Sequence, residues 1–335
     1  MLVLSNNKKI IFIFITLILA FIFLFFFSLS IGPIQIPFRK VLENLFHYSD
    51  TLEYRIIFDT RLPRSLTACL VGISLGLAGM NLQLISQNPM ACPSLLGINQ
   101  GAGLGIVIIL AFFPFCHPTL FLTCAIMGGL LATALIYFIA NKTEISPLKF
   151  ILAGQAINAL FYAIIQGILV FLPTRSGVIL INLNGSLAGS SWELLKWTFV
   201  PLILAIFFNC LSLKQLHILA LGKNTSSAIG LNYNYSIIFF LIISLILSSL
   251  SVALIGPILF LPLIINHFSK ICVGNNPYIL APFVGVFGAS FILLCDSVMK
   301  MIFIEKELAI GLLIAIIGAP ILILTSKIRN KNCNV

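Results

Sequence analysis

Charge is what this chain has least of. Only 8% of its 335 residues are Asp, Glu, Lys or Arg, and just 9 are acidic, where a water-soluble domain carries roughly a quarter charged residues. That scarcity excludes a core wrapped in a solvated shell. A phosphate-cradling loop is missing as well, because the one Gly-Lys pair, Gly222-Lys223, lacks both the upstream glycine and the following Ser or Thr. The chain hydrolyses no nucleotide by itself on this reading. No DDxxD or HxxxH brings carboxylates or histidines together, and the 8 cysteines form no CxxC or other ligand spacing. Catalytic residues, a metal site and a cofactor are therefore not expected, and a membrane-embedded lipid enzyme is set aside.

What is present is grease: 60% of the residues are hydrophobic. At ~20 residues per crossing, such a length suits about ten membrane helices in one all-α polytopic transmembrane domain, residues 1–335. The spans read as Ile10 to Phe27, two that belong to the stretch from Arg61 to Gly105, Leu120 to Ala140, Leu148 to Phe171, Leu194 to Leu213, Ser236 to Ile255, Ile258 to Ile271, Leu280 to Met301 and Leu308 to Thr325. The formal charge of +10 comes from Lys and Arg scattered between these runs without interleaved aromatics, which argues for anionic lipid headgroups and protein partners and against nucleic acid. Lys8-Lys9 ahead of the first run keep the N-terminus in the cytoplasm. Ser28 and Ser30 would suit a signal-peptide cleavage site, but the apolar run is longer than such peptides carry, so an uncleaved helix is expected. Residues 31–60 form an outer polar segment in which Val41, Leu42, Leu45 and Phe46 predict a short amphipathic helix.

The stretch from Arg61 to Gly105 organises the rest. Pro63 suits the first turn of a helix, Gly72, Gly76 and Gly79 give that helix a small-residue face for close packing, and Asn88-Pro89 ends it. A second apolar segment opens at Gly97 and continues through Gly101, Gly103 and Gly105, so the stretch reads as a membrane hairpin. Arg61-Leu62-Pro63-Arg64, the glycine-rich helix ending in Gln83, Asn88-Pro89-Met90-Ala91, Pro93, Leu95-Leu96-Gly97 and Gly101-Ala102 resemble the signature of the FecCD-type permeases. So do Leu152 to Gly154, Asn184 to Leu187, Leu221-Gly222 to Ala228 and Gly230, Gly256-Pro257-Ile258 to His267, Glu307 to Gly311, and Gly318-Ala319-Pro320, in the same order along nearly the whole chain.

That family supplies the membrane subunits of ABC importers for iron siderophores, haem and cobalamin in the bacterial inner membrane. The resemblance implies ABC ATPase subunits, a periplasmic substrate-binding protein and a second permease subunit as partners, with an iron siderophore as leading cargo. It also implies an inverted repeat, of which the sequence itself shows little. In the family, basic residues matching Arg61, Arg64 and Lys300 receive acidic residues of the binding protein; lysine at 300 keeps the charge but not the forked geometry of arginine. The loop 212–235, too apolar for a solvated linker and broken by Gly222 and Gly230 into two short helices, matches the coupling segment, with Leu221, Gly222, Ala228 and Gly230 as ATPase contacts. Thr143, Ser146 and Pro147 lie where related permeases narrow and are candidates for a gate. Pro262, Asn266, Lys270 and Ala309 depart from the family pattern and alter local helix shape there. Asp296, the carboxylate deepest in an apolar run, has Lys300 four residues on and is expected to pair with it; the rival role, a proton relay, would mark a secondary transporter.

Overall fold

The computed structural model describes residues 2–47, 50–141, 147–303 and 309–320. Every element among them is helical: α1 (Leu2–Ser30), α2 (Phe38–Phe46), α3 (Leu52–Arg55), a π-helical turn (Ile56–Arg61), α4 (Leu62–Ile85), α5 (Ile98–Phe112), α6 (Pro118–Asn141), α7 (Pro147–Phe171), α8 (Pro173–Leu183), α9 (Trp192–Leu211), α10 (Leu213–Leu219), α11 (Lys223–Ala228), α12 (Tyr233–Ile255), α13 (Leu261–Val273), α14 (Pro277–Ile302) and α15 (Ile310–Pro320). Seven helical stretches among the described residues are long and apolar enough to cross a membrane, and three shorter apolar helices, α5, α13 and α15, account for the remaining expected spans. The short helix α8 was not legible as a separate element.

Helix packing depends on missing side chains. At the crossing of α4 and α14, a Cβ on Gly72 would fall on the backbone of Gly288, and one on Gly288 would fall on the carbonyl of Gly72. Gly101 and Gly105 of α5 meet Gly128 and Cys124 of α6 in the same way, and Gly129 lies against Ser249 of α12. In an apolar solvent there is little hydrophobic drive between helices, so such close approach, with its dispersion contacts, is what holds them together.

One expectation holds and is extended, and one changes. Pro63 sits in the first turn of α4, but helical backbone already runs into that turn from Leu52. The link is the π-turn Ile56–Arg61, in which Leu62 N–H donates to the carbonyl of Ile57; the wider π spacing accommodates a proline ring that would otherwise collide with the preceding turn. The stretch after α4, in contrast, is not a plain hairpin. Ser248 donates to Asn99 Oδ1, and Ser248 stands fifteen residues along α12 from Tyr233, about 22 Å at 1.5 Å per residue. The chain from Asn88 therefore climbs back into the bundle before α5 begins.

There it meets a second returning loop. Ser94 Oγ donates to the Ile258 carbonyl at 2.9 Å, and Asn99 Nδ2 donates to both Ser94 Oγ at 2.8 Å and Ile258 O at 3.2 Å. Both short helices that leave this point start from a left-handed residue, Gly97 (φ 77°) for α5 and Phe260 (φ 64°) for α13. Helices of 15 and 13 residues reach only about 20 Å, less than the ~30 Å hydrocarbon layer, so each needs a partner loop to complete the crossing. Backbone groups at such depth must be satisfied by protein. Asn99→Leu, close in volume but without polar atoms, is expected to lower stability by about 1–3 kcal/mol, read as a fall in thermal denaturation midpoint in detergent; an unchanged midpoint would remove this cluster from the account.

Candidate functional site

One end of the bundle carries a cavity of about 400 Å³ lined by residues 31–34, Thr60, Arg61, Arg64, Ala188, Ser190, Met299 and Lys300 among others. The three basic residues singled out in the sequence thus surround one space, but they are used differently. Arg61 is only 5% exposed and donates to the carbonyls of Leu29 at 2.7 Å, Ser30 at 2.9 Å and Ile34. It ties the end of α1 to the end of the π-turn. Gly32 makes room for it, since a Cβ there would meet the guanidinium.

Arg64 faces Asp296, with Nε at 3.0 Å and Nη2 at 2.9 Å from Oδ1. Lys300 Nζ lies 2.6 Å from Asp296 Oδ2, as the four-residue spacing on α14 predicts. Asp296 has no solvent exposure, while the side chains of Arg64 and Lys300 keep 14% and 9% of theirs. The cluster reaches α1 through Lys300, whose Nζ is 3.3 Å from both the carbonyl and the hydroxyl of Ser28, and Ser28 Oγ is 3.1 Å from Ser65 Oγ. Two cations share one anion, so the cavity wall is positive beyond its own neutralisation. Asp296 announced itself in the sequence as an isolated carboxylate; Arg64 as its partner, 232 residues away, did not.

The opposite end carries the segment 212–235. It folds into α10 and α11 at an angle set by Gly222 (φ 94°) and closed by Gly230 (φ 87°). Ser226, which nothing in the sequence singled out, is buried and donates to the carbonyls of Ile218 and Gly222 at 2.8 and 2.7 Å. Leu216 and Leu219 are buried against the bundle, whereas Leu221 is 51% exposed and Ala228 and Gly230 are exposed too. The result is a knuckle with an apolar, uncovered tip. It rests on the inner ends of the crossed pair: Gln87, just past α4, donates to the Ala220 carbonyl at 3.3 Å, and the His217 ring lies 5.8 Å from that of Tyr278 at the start of α14.

Of the gate candidates, Thr143 and Ser146 lie outside the described residues, and Pro147 opens α7. No cluster of metal-ligating side chains occurs among the described residues. The seven described cysteines are free.

A bundle of apolar helices with a cationic cavity at one end, an exposed two-helix knuckle at the other and one helix pair joining them defines a multi-pass membrane transport subunit. The chain belongs to the FecCD transport family, whose pattern matches residues 19–327. It is similar to the Fe(3+)-citrate import system permease protein YfmD of Bacillus subtilis, 32% identical over 90% of this chain and 91% of that one. It is likewise similar to the vitamin B12 import system permease protein BtuC of Vibrio cholerae, 31% identical over 84% and 86%. Among solved structures, a transporter described as of the metal-chelate ABC type in an inward-facing conformation matches with a TM-score of 0.81, 31% identity, and coverage of 94% of this chain and 99% of that one.

Proposed function

We propose that this chain is the permease subunit of an ATP-driven importer that carries an iron–siderophore complex across the bacterial inner membrane. A second permease subunit completes the pore, two ABC ATPases seat the knuckle of α10 and α11 in their grooves, and a periplasmic binding protein docks over the cavity at Arg64 and Lys300. The observation that carries this reading is that the cationic cavity and the knuckle lie at opposite ends of the same two helices, α4 and α14. Iron in chelated form is favoured because a relative of similar length imports Fe(3+)-citrate; the vitamin B12 relative keeps cobalamin as the alternative cargo, and haem is the other cargo that the family resemblance implies.

An ion-coupled secondary transporter is the rival from another class, and Asp296 would be its natural relay. Both of its oxygens face cations, and the group has no exposure. That arrangement suits a structural counter-ion better than a carboxylate that exchanges protons along a water path.

The test is uptake of a labelled iron–siderophore into proteoliposomes holding the permease, its ATPases and the binding protein. Uptake should cease when the catalytic glutamate of the ATPase is disabled. Transport persisting on an ion gradient alone would overturn the proposal. For docking, Arg64→Gln combined with Lys300→Gln should reduce binding-protein affinity about tenfold or more, since breaking charge pairs buried across an interface costs about 2 kcal/mol or more. Unchanged affinity would exclude the cavity as the docking point.

A further inference from the structure

Arg64 and Lys300 already hold a carboxylate. Any acidic side chain that enters the cavity must compete with Asp296 for the same two cations. We infer that Asp296 is a built-in competitor: it offsets part of the charge of the docking cations in the empty permease and sets how tightly an acidic partner can hold them. This rests on the docking reading above, and it assigns a positioning role to a residue that never meets the partner.

The geometry supplies three reasons. Asp296 lies behind the cations, with no exposure, so it cannot touch a docked protein itself. Its two oxygens divide the cations between them, Oδ1 to Arg64 and Oδ2 to Lys300. Arg64 comes from α4 and the other two from α14, so the carboxylate also fastens the ends of the crossed helices. Buried cations without a counter-ion are strongly destabilising. Removing the competitor therefore makes the empty permease less stable and the docked complex relatively more favourable, because the partner's carboxylate then replaces the one that was lost.

Asp296→Asn keeps the shape and an acceptor oxygen while removing the charge. The free variant is expected to melt earlier than wild type, its affinity for the cargo-loaded binding protein to rise about tenfold, and the salt dependence of binding to steepen. Asp296→Glu should restore weaker binding. A merely structural role predicts lower stability with unchanged or weaker binding, and that result overturns the inference.

Should Asp296→Asn not assemble, the pair Arg64→Gln/Asp296→Asn removes one cation together with the anion. Relative to Arg64→Gln alone, it should recover affinity, since Lys300 is released; no recovery counts equally against the competitor role. Failure of the docking reading looks different, because then Arg64→Gln and Lys300→Gln leave binding untouched.

Discussion

Gly72→Leu is expected to abolish recovery of folded permease from membranes, whereas the same change at Gly167 leaves it near the wild-type level. At Gly72 the two helix backbones of α4 and α14 touch, so a side chain has nowhere to go: its first carbon would lie on the carbonyl of Gly288. Rotamer choice cannot relieve such a collision, and the helices must separate along their length. Overpacking a well-filled site costs about 1–3 kcal/mol even when side chains can yield; here only backbone is in the way, so the loss should exceed that range. At Gly167 of α7 nothing lies within 4 Å of an added Cβ, and leucine there only gains helix propensity over glycine. Fluorescence-detected size-exclusion chromatography of the two variants gives the comparison, with Gly72→Ala, which already carries the colliding carbon, expected to fail as well. A monodisperse Gly72→Leu protein with a wild-type melting point would show that α4 and α14 do not meet at backbone distance.

The second large effect belongs to Arg61. Its guanidinium serves three carbonyls, those of Leu29 and Ser30 at the end of α1 and of Ile34 in the segment that follows, and hydrogen bonds to a charged donor contribute about 1.5–3 kcal/mol each. Arg61→Ala should therefore lower stability by about 3 kcal/mol or more, and Arg61→Lys should restore only a fraction, since one ammonium at the end of a flexible stem cannot reproduce a planar fork. The measurement that separates this from a docking role compares thermal stability with binding-protein affinity. If Arg61→Ala melts like wild type but no longer binds the partner, the residue is a docking contact and the tie to residues 29–34 is incidental.

The sequence told much about which residues cluster and little about how the chain turns. Arg61, Arg64 and Lys300 share a cavity because the first two lie three apart on one helix and the third ends a helix that crosses it at a glycine pair. The helix breaks at Gly222 and Gly230 were readable because positive φ is a glycine habit. What escaped detection depends on contacts distant in sequence. Nothing local to Arg64 names Asp296, and nothing local to Ser226 says that its hydroxyl would pin two short helices together. The π-turn before Pro63 escaped for another reason: its cause is a steric conflict that several backbone geometries could resolve, and composition does not choose between them. The short span of α5 likewise looked like half of a hairpin, because apolar periodicity does not record where a segment sits in depth.

The carbonyl of Ile258 accepts from Ser94 and Asn99, residues 164 and 159 positions earlier. A nascent chain delivered to the bilayer in order presents those two polar side chains long before their acceptor has been synthesised. Until α12 and the loop after it arrive, the start of α5 is a poor lodger in lipid and is better kept near the insertion machinery or at the water boundary. Maturation of the first half is thus tied to translation of the second, and a truncation before Ile258 would leave the amino-terminal helices an early substrate for membrane proteases.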